Sequence, residues 1–173
     1  CTLASLSNLA QYYLTSGDMP PRLGNAHSTI VPYECFETAD RHIVIAVGND
    51  SQFIRLCKVL SKDEWTADAR FQTNQNRVKN RGILLPMIRD TLKTRTGEEW
   101  LSLFREYDIP SSLVQNIAEA FNSEQIKSRD MQIKVNHSKT KKGIKLVGSP
   151  IKLSATPVDF TKSPPICGED TVK

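Results

Sequence analysis

The sequence predicts an α+β fold in which a small antiparallel sheet packs against helices. Residues 30–38 and 42–47 are rich in strand-forming residues, and the turn residues 39–41 lie between them, which indicates a hairpin. Segments with apolar residues at helical spacing follow this hairpin. From Met131 onward the apolar period returns to two, which predicts a second hairpin. Helical and extended arms flank the core at both ends.

A helix followed by a loop is predicted at the start of the chain. Apolar residues recur at helical spacing over residues 2–15. Gly17, Pro20 and Pro21 end this helix, because proline has no backbone N–H and cannot continue it. Glycine, proline, asparagine and serine then predict a loop over residues 16–29.

The segment after the first hairpin has the pattern of a capped helix. Asp50 and Ser51 are expected to supply the capping oxygens for a helix over residues 51–61. Helical spacing predicts its apolar face, which consists of Phe53, Ile54, Cys57 and Leu60. A strand, a turn and a helix start in this order can direct backbone N–H groups outward, toward a ligand.

Two further helices are predicted before the second hairpin. The first covers residues 73–95 and is expected to be kinked or delayed by Gly82 and Pro86. The second begins at Thr96, because Glu99 stands three residues later and the pair has the pattern of a capping box. A short extended piece and another helix follow.

Composition limits the classes of partner. Of 173 residues, 39% are hydrophobic and 24% are charged, which is typical of a soluble globular protein, and the apolar runs are too short to span a membrane. The net charge of +4 is concentrated locally in Lys139, Lys141, Lys142 and Lys145. We interpret these lysines as a solvated hairpin turn, because no aromatic residues interleave with them as a base-stacking surface requires. Nucleic acid is therefore not the expected partner.

No catalytic constellation follows from residue types and spacing alone. The four cysteines lack metal-ligand spacing and only three histidines are present, so a zinc site is not expected. A disulfide framework is not expected either. The cysteines are predicted to be reduced and mostly buried, which fits an intracellular compartment. His27 stands in a polar loop beside Gly24 and Asn25, whose unusual backbone conformations can bring a loop close to a ligand. A plain surface turn is the alternative at His27, and a helix cap is the simpler role for Asp50.

Seven stretches, taken in order, resemble the carboxy-terminal half of the class III CoA-transferases of the CaiB–BaiF type. The resemblance extends over nearly the whole chain, and the stretches that carry it are GNAHSTIVPYECFETAD, IVIAVGNDSQFIRLCKVL, DARFQTNQNRVKNR, EWLSLF, DIPSSLVQNIAEAF, VGSPIKLSATP and PPICGEDT. Each stretch is weak alone, and their order and spacing carry the signal. Within that family the chain most resembles the mitochondrial succinate–hydroxymethylglutarate (glutarate) CoA-transferases of animals.

The resemblance implies an interlocked homodimer, each chain with a Rossmann-like large domain and a small α+β domain. It implies that an aspartate attacks an acyl-CoA thioester, forms an anhydride and then carries CoA to an acceptor acid. That aspartate is expected upstream of Cys1, so no catalytic residue is assigned in this chain, and Asp18, Asp40 and Asp50 are not promoted to that role. The expected partners are acyl-CoA and carboxylic acids, and no cofactor or metal is expected beyond the CoA thioester.

Residue by residue, Gly24, Asn25, Ala26 and His27 match the glycine-rich loop that covers the acyl site in formyl-CoA transferases. Only one glycine of that run is present here, which leaves the mobility of the loop open. Asp50 matches the position where the related α-methylacyl-CoA racemases carry an acid–base glutamate, and we interpret it as a cap or an active-site neighbour.

The resemblance also divides the chain. Residues 1–29 are assigned to a helix and linker from the large domain, residues 30–125 to the small domain, and residues 126–173 to a returning hairpin and arm. Two alternatives remain at this point: a racemase on the same fold, and an inactive fragment that acts as a dimerisation module. The mitochondrial matrix is the expected compartment, with the cytoplasm as its alternative.

Overall fold

A computed structural model describes residues 2–137, 139–160 and 162–171. Contacts between residues divide the chain into two compact units, Cys1–Val114 and Gln115–Lys173. The predicted domain boundaries, at residues 29/30 and 125/126, stay predictions. Each unit is described by itself below.

The first unit contains a three-stranded antiparallel sheet. Its strands are β1 Tyr33–Glu37, β2 His42–Ala46 and β3 Ser111–Leu113, and β2 lies in the centre. The register pairs Phe36 with Ile43 across β1 and β2, and Ile43 with Leu113 across β2 and β3. The predicted hairpin is therefore confirmed, and the short extended piece is its third strand.

Alternation along the strands places one face of this sheet against the core. Phe36, Ile43 and Ile45 are buried, whereas Glu37 and His42 are exposed. A period of two residues puts every second side chain on the same face, so the pattern follows from strand geometry.

The first unit also contains helices that precede and follow the sheet strands. They are α1 Thr2–Ser5, α2 Ser7–Ser16, α3 Asp50–Val59, α4 Glu64–Ala67, α5 Asn74–Lys79, α6 Arg81–Leu92 and α7 Gly97–Glu106. Side chains of α3 to α7 meet the sheet in one hydrophobic core, whereas α2 contributes no buried residue. Its helical members include Phe53, Leu56, Leu84, Ile88, Leu92, Trp100 and Phe104. Both tryptophans are buried, with Trp65 at 6% and Trp100 at 2% exposure, as expected of core residues.

One predicted cap is confirmed and another is wrong. Thr96 and Glu99 form the capping box of α7, in which each side chain accepts from the other residue's backbone N–H. Asn49, not Asp50, is the N-cap of α3, and its side chain accepts the N–H of Gln52. Asp50 is the first residue inside the helix, so its carboxylate is free to reach another element.

Two predicted helices are each divided in two. Leu6 lies between α1 and α2, and Ser7, which begins α2, has a φ of 43°; Asn80 lies between α5 and α6. Pro86 lies inside α6, where the structure tolerates it. The predicted apolar face of α3 is wrong at Ile54, which is 56% exposed, while Leu56 is buried in the core.

The second unit contains two short helices and a two-stranded sheet. These elements are α8 Ile117–Asn122, α9 Glu124–Ser128, β4 Gln132–His137 and β5 Thr140–Val147. The predicted single helix is divided because Ser123 caps α9 through the N–H of Ile126. The second hairpin is confirmed, with Lys134 directly opposite Lys145.

Two details of the second unit differ from the predictions. Lys141, Lys142 and Lys145 belong to β5 rather than to the turn, because β5 already begins at Thr140. Gly168 begins a turn, in which Thr171 donates to its carbonyl, and not the predicted helix.

The remaining expectations concern thiols, metals and membranes. Cys35, Cys57 and Cys167 are free thiols. Burial raises the pKa of the Cys57 thiol to about 12. Cys167 is exposed and Cys35 is half-buried, which differs from the expectation of mostly buried thiols. Within the described ranges no group of three His, Cys, Asp or Glu residues could hold a metal ion. Over the same part of the chain, no helix has the length and apolar character needed to cross a membrane.

Candidate functional site

The candidate site is built on the segment that connects α2 to β1. Gly17 caps α2 in the left-handed conformation, with φ of 78°, and its N–H donates to Tyr13. The chain then turns at Gly24, whose φ of 62° is readily adopted by glycine, and Ala26 donates to the Leu23 carbonyl at 3.1 Å. We call residues 24–29 the cavity loop.

The cavity loop is hydrogen-bonded to β1. The side-chain oxygen of Asn25 accepts the backbone N–H of Cys35 at 2.8 Å, and the N–H of His27 donates to the Tyr33 carbonyl at 2.8 Å. The rings of His27 and Tyr33 are stacked, with centroids 5.2 Å apart. These contacts fix the direction of the loop relative to the sheet edge.

Side chains of α5 and α6 bind the carbonyls at the exit of the loop. Arg81 donates to the carbonyl of Ser28 at 2.7 Å and to that of His27 at 3.4 Å. The side-chain amide of Asn74 donates to the Thr29 carbonyl at 2.8 Å. The carbonyls of residues 27–29 are thus hydrogen-bonded, and the choice between a ligand-facing loop and a plain surface turn stays a prediction.

Asp50 lies behind the loop and connects its supports. Its Oδ1 accepts both the backbone N–H of Asn74 and a guanidinium N–H of Arg77, each at 2.9 Å. Arg77 is fully buried, donates to the carbonyls of Val31 and Phe71, and stands over the ring of Phe53 at 4.4 Å. Burial lowers the pKa of Arg77, and the hydrogen bond and charge of Asp50 oppose that effect.

The four predicted loop residues line one cavity of about 430 Å³. Gly24, Asn25, Ala26 and His27 all contribute to its wall, together with Tyr33 and the start of α2. A second, more apolar groove of about 1150 Å³ lies along α2 and shares Gly24 with the first. Asp50 does not line the cavity, and whether it neighbours an active site stays a prediction.

The cavity offers hydrogen bonding and apolar contact. The Nδ1 atom of His27 accepts the backbone N–H of Thr29 at 3.2 Å, which in the neutral ring assigns the proton to Nε2 as a donor. Among the described residues that line this cavity, none carries a carboxylate or a thiol. These residues can therefore bind and orient a small ligand, but they supply no carboxylate nucleophile.

The residues that support the loop were not predicted from the sequence. Asn74, Arg77 and Arg81 were assigned to a long helix and to one of the stretches that carry the family resemblance, with no role at the loop. Their signal in the sequence is a series of polar residues three and then four positions apart, which in the structure spans the end of α5 and the start of α6. Tyr33 was also missed, because its position in a strand does not reveal a stacked histidine.

A family model described as CoA-transferase family III matches residues 2–171. The chain belongs to this family. The resemblance stated from the sequence is therefore confirmed, and the α+β fold class is confirmed by similar solved structures. A CaiB/BaiF family protein from Brucella suis has 32% identity and a TM-score of 0.76 over 94% of this chain and 42% of its own.

Two curated relatives extend the comparison. Succinyl-CoA:glutarate CoA-transferase from Mus musculus is 31% identical over 98% of this chain and 38% of its own length. Succinate–glutarate CoA-transferase from Agrobacterium fabrum is 35% identical over 96% of this chain and 41% of its own length. The chain thus spans well under half the length of these relatives.

Proposed function

We propose that this chain is the carboxy-terminal part of a CoA-transferase that moves CoA between carboxylic acids, and between dicarboxylic acids in particular. The observation that carries the proposal is that the residues matched to the family's acyl-site loop line one cavity. The names of the relatives supply the substrate class, because succinate and glutarate each carry two carboxylates.

In the proposed reaction the nucleophile is an aspartate from the part of the protein that precedes Cys1. Its carboxylate attacks the donor thioester, which forms a mixed anhydride and releases CoA thiolate. The thiolate attacks the aspartyl carbonyl, which expels the donor acid and leaves an aspartyl-CoA thioester. The acceptor carboxylate then attacks the aspartyl carbonyl and displaces the CoA thiolate, which gives a second mixed anhydride. The thiolate attacks the acceptor carbonyl of this anhydride, so that acceptor-CoA leaves and the aspartate is regenerated.

The part of this chain in that reaction is to bind the acid. Nε2–H of His27 is a donor suited to a carboxylate oxygen, and a charge-assisted hydrogen bond of this kind is stronger than a neutral one. The apolar groove along α2 provides contact for methylene groups. No cofactor enters this scheme beyond the CoA thioester itself.

Assembly and compartment belong to the same proposal. An interlocked homodimer and a mitochondrial matrix location follow from the resemblance, and cytoplasmic location is the alternative. Size-exclusion chromatography with light scattering measures the first, and imaging of a tagged full-length protein measures the second.

The test uses the protein with the sequence that its gene encodes before Cys1. Transfer of CoA from succinyl-CoA to glutarate is measured by chromatography, and α-proton exchange of a branched acyl-CoA in heavy water is measured beside it. CoA transfer without proton exchange supports the proposal. Proton exchange without transfer indicates the racemase, and neither activity, with no binding of CoA esters, indicates a non-catalytic module.

A variant of the loop links the activity to this chain. His27→Phe keeps an aromatic ring beside Tyr33 and removes the Nε2 donor. Loss of one hydrogen bond to a charged acid predicts a decrease of about 10- to 100-fold in kcat/KM for glutarate. His42→Phe, at an exposed position of β2, is the matched control. Equal activity of the two variants would contradict a role for the loop.

A further inference from the structure

The carbonyl groups at the exit of the cavity loop are bound by side chains from the two helices α5 and α6. Arg81 binds the carbonyls of residues 27 and 28, Asn74 binds that of residue 29, and Arg77 binds that of residue 31. Asn74 and Arg77 lie three positions apart on α5, which places them on the same side of that helix, and Arg81 is the first residue of α6.

Asn74 contacts the loop exit through both ends of its amide. Its nitrogen donates to the Thr29 carbonyl at 2.8 Å, and its oxygen accepts the Val31 N–H at 3.1 Å. The backbone N–H of Asn74 in turn donates to Asp50, which also binds the buried Arg77. Arg77 is fully buried in this network, so a movement that broke its hydrogen bonds would leave a buried donor unsatisfied.

The entry of the loop is bound differently. Gly24 stands in the left-handed region, and a side chain added at this glycine would meet no atom within 4 Å. The entry turn is closed by the hydrogen bond from Ala26 to Leu23, and the side chain of Asn25 accepts the N–H of Cys35. The loop is thus fixed at the exit, beside His27, and is freer at Gly24.

We propose that Asn74, Arg77 and Arg81, connected through Asp50, are positioning residues that fix His27 in the orientation that receives the carboxylic acid. This proposal rests on the proposed function, since it assigns the geometry of that site to a second set of residues. A binding group whose orientation is fixed in advance loses less conformational entropy when the ligand binds. None of the three residues lines the cavity, so each acts through the loop.

The direct test compares two asparagines on the same short helix. Asn74→Ala removes both contacts to the loop, whereas Asn76→Ala removes only a hydrogen bond to the Ala69 carbonyl at 2.8 Å. Hydrogen exchange of residues 25–31 is followed by mass spectrometry in the full-length protein. We expect exchange about tenfold faster in the Asn74 variant and unchanged in the Asn76 variant, because loss of two hydrogen bonds favours local opening.

Steady-state kinetics give a second readout. In the Asn74→Ala variant, KM for glutarate is expected to rise about tenfold while kcat changes less than about twofold. This pattern is expected when a substitution weakens binding of the ground state and of the transition state equally. Asn76→Ala is expected to leave both constants unchanged. Equal exchange in the two asparagine variants, or a fall in kcat with unchanged KM, overturns the proposal.

A third variant covers the case in which Asn74→Ala fails to fold. Arg81→Met removes the donors to residues 27 and 28 at a half-buried position and keeps an apolar stem, with Arg105→Met at an exposed position of α7 as control. Faster loop exchange only in the Arg81 variant supports the proposal, and equal exchange overturns it. Absence of CoA transfer in the unmodified protein would refute the proposed function, while the exchange experiment still decides whether these residues position the loop.

Discussion

The two compact units of this chain are stabilised in different ways. In Cys1–Val114, the sheet and its helices share a hydrophobic core that runs from Val31 to Ile109. In Gln115–Lys173, Val135 alone is buried among the described hydrophobic side chains. The second unit instead has local interactions: the capping box of Asn116 and the ladder of the β4–β5 hairpin.

The two units also differ in net charge. The first unit has 13 Lys and Arg against 13 Asp and Glu, and the second has 10 against 6, so the whole net charge of +4 lies in the second. A unit with a large core can pair its charges with buried partners, such as Arg77 with Asp50. A unit without one exposes its charges to water, and its stability is therefore expected to depend more on salt.

The largest expected effect is in the core of the first unit. Phe104→Ala removes a fully buried ring stacked on Trp100, and we expect it to lower the free energy of unfolding by about 3–5 kcal/mol. Urea unfolding followed by tryptophan fluorescence measures this, because both tryptophans lie in this unit. Ser102→Ala, at an exposed position of α7, is the control.

The matching substitution in the second unit is Val135→Ala. We expect a loss of about 1–2 kcal/mol, measured by hydrogen exchange of β4, because only two methyl groups leave a small apolar cluster. A loss as large as that of Phe104→Ala would contradict the contrast between the units.

An effect of intermediate size is expected in the dependence of stability on pH, at Asp40. Asp40 accepts the N–H of Gly97 at 2.8 Å, and chiefly for this reason the pKa of its carboxyl lies below the ordinary 3.8. A lowered pKa in the folded state stabilises the protein above the ordinary value, and this contribution disappears as the pH falls through the lowered pKa. Asp40→Asn is therefore expected to lower the Tm at neutral pH and to flatten the dependence of Tm on pH below about 4.

The control for this prediction is Asp90→Asn, at an exposed position of α6. Thermal unfolding of the three proteins across the acid range measures the effect. If the Tm of Asp40→Asn fell with pH as steeply as that of the control, the hydrogen bond between Asp40 and Gly97 would not contribute to the pH dependence of stability.

The smallest expected effect is in the hairpin of the second unit. Lys134 and Lys145 lie directly opposite each other and are exposed, and like charges in this arrangement destabilise a strand pair. Lys145→Glu is expected to stabilise the hairpin by about 0.2–1 kcal/mol, which slows hydrogen exchange of β4 by up to about fivefold. Lys152→Glu makes the same charge change outside the strands, and equal slowing in that variant would contradict a cross-strand effect.

Much of the fold was predictable because it depends on neighbours in the chain. The capping box at Thr96, the end of α2 at Gly17 and both hairpins follow from spacings of two to four residues. The wrong predictions also concern neighbouring residues. Asn49 caps α3, whereas Asp50 was predicted to do so, because both residues have a side chain suited to an N-cap and they are adjacent in the chain.

The candidate site was predictable only in part. Gly24, Asn25, Ala26 and His27 were singled out from a resemblance, and the structure adds that they share a cavity wall. Their supports were not predictable, because the hydrogen bonds from α5 and α6 join residues 43 to 54 positions apart. A helix with polar residues on one face is usually solvated, so the pattern alone does not indicate a partner.

The sequence by itself determined the family, the strand and helix pattern and the position of the loop, since these depend on residue order and on periods of two and 3.6 residues. Only the tertiary structure decided what the loop contacts. Packing of the core brought residues 74–81 beside it, and the carbonyls at its exit then required donors that Asn74, Arg77 and Arg81 provide. Asp50 changed accordingly from a helix cap to the acceptor that connects those donors.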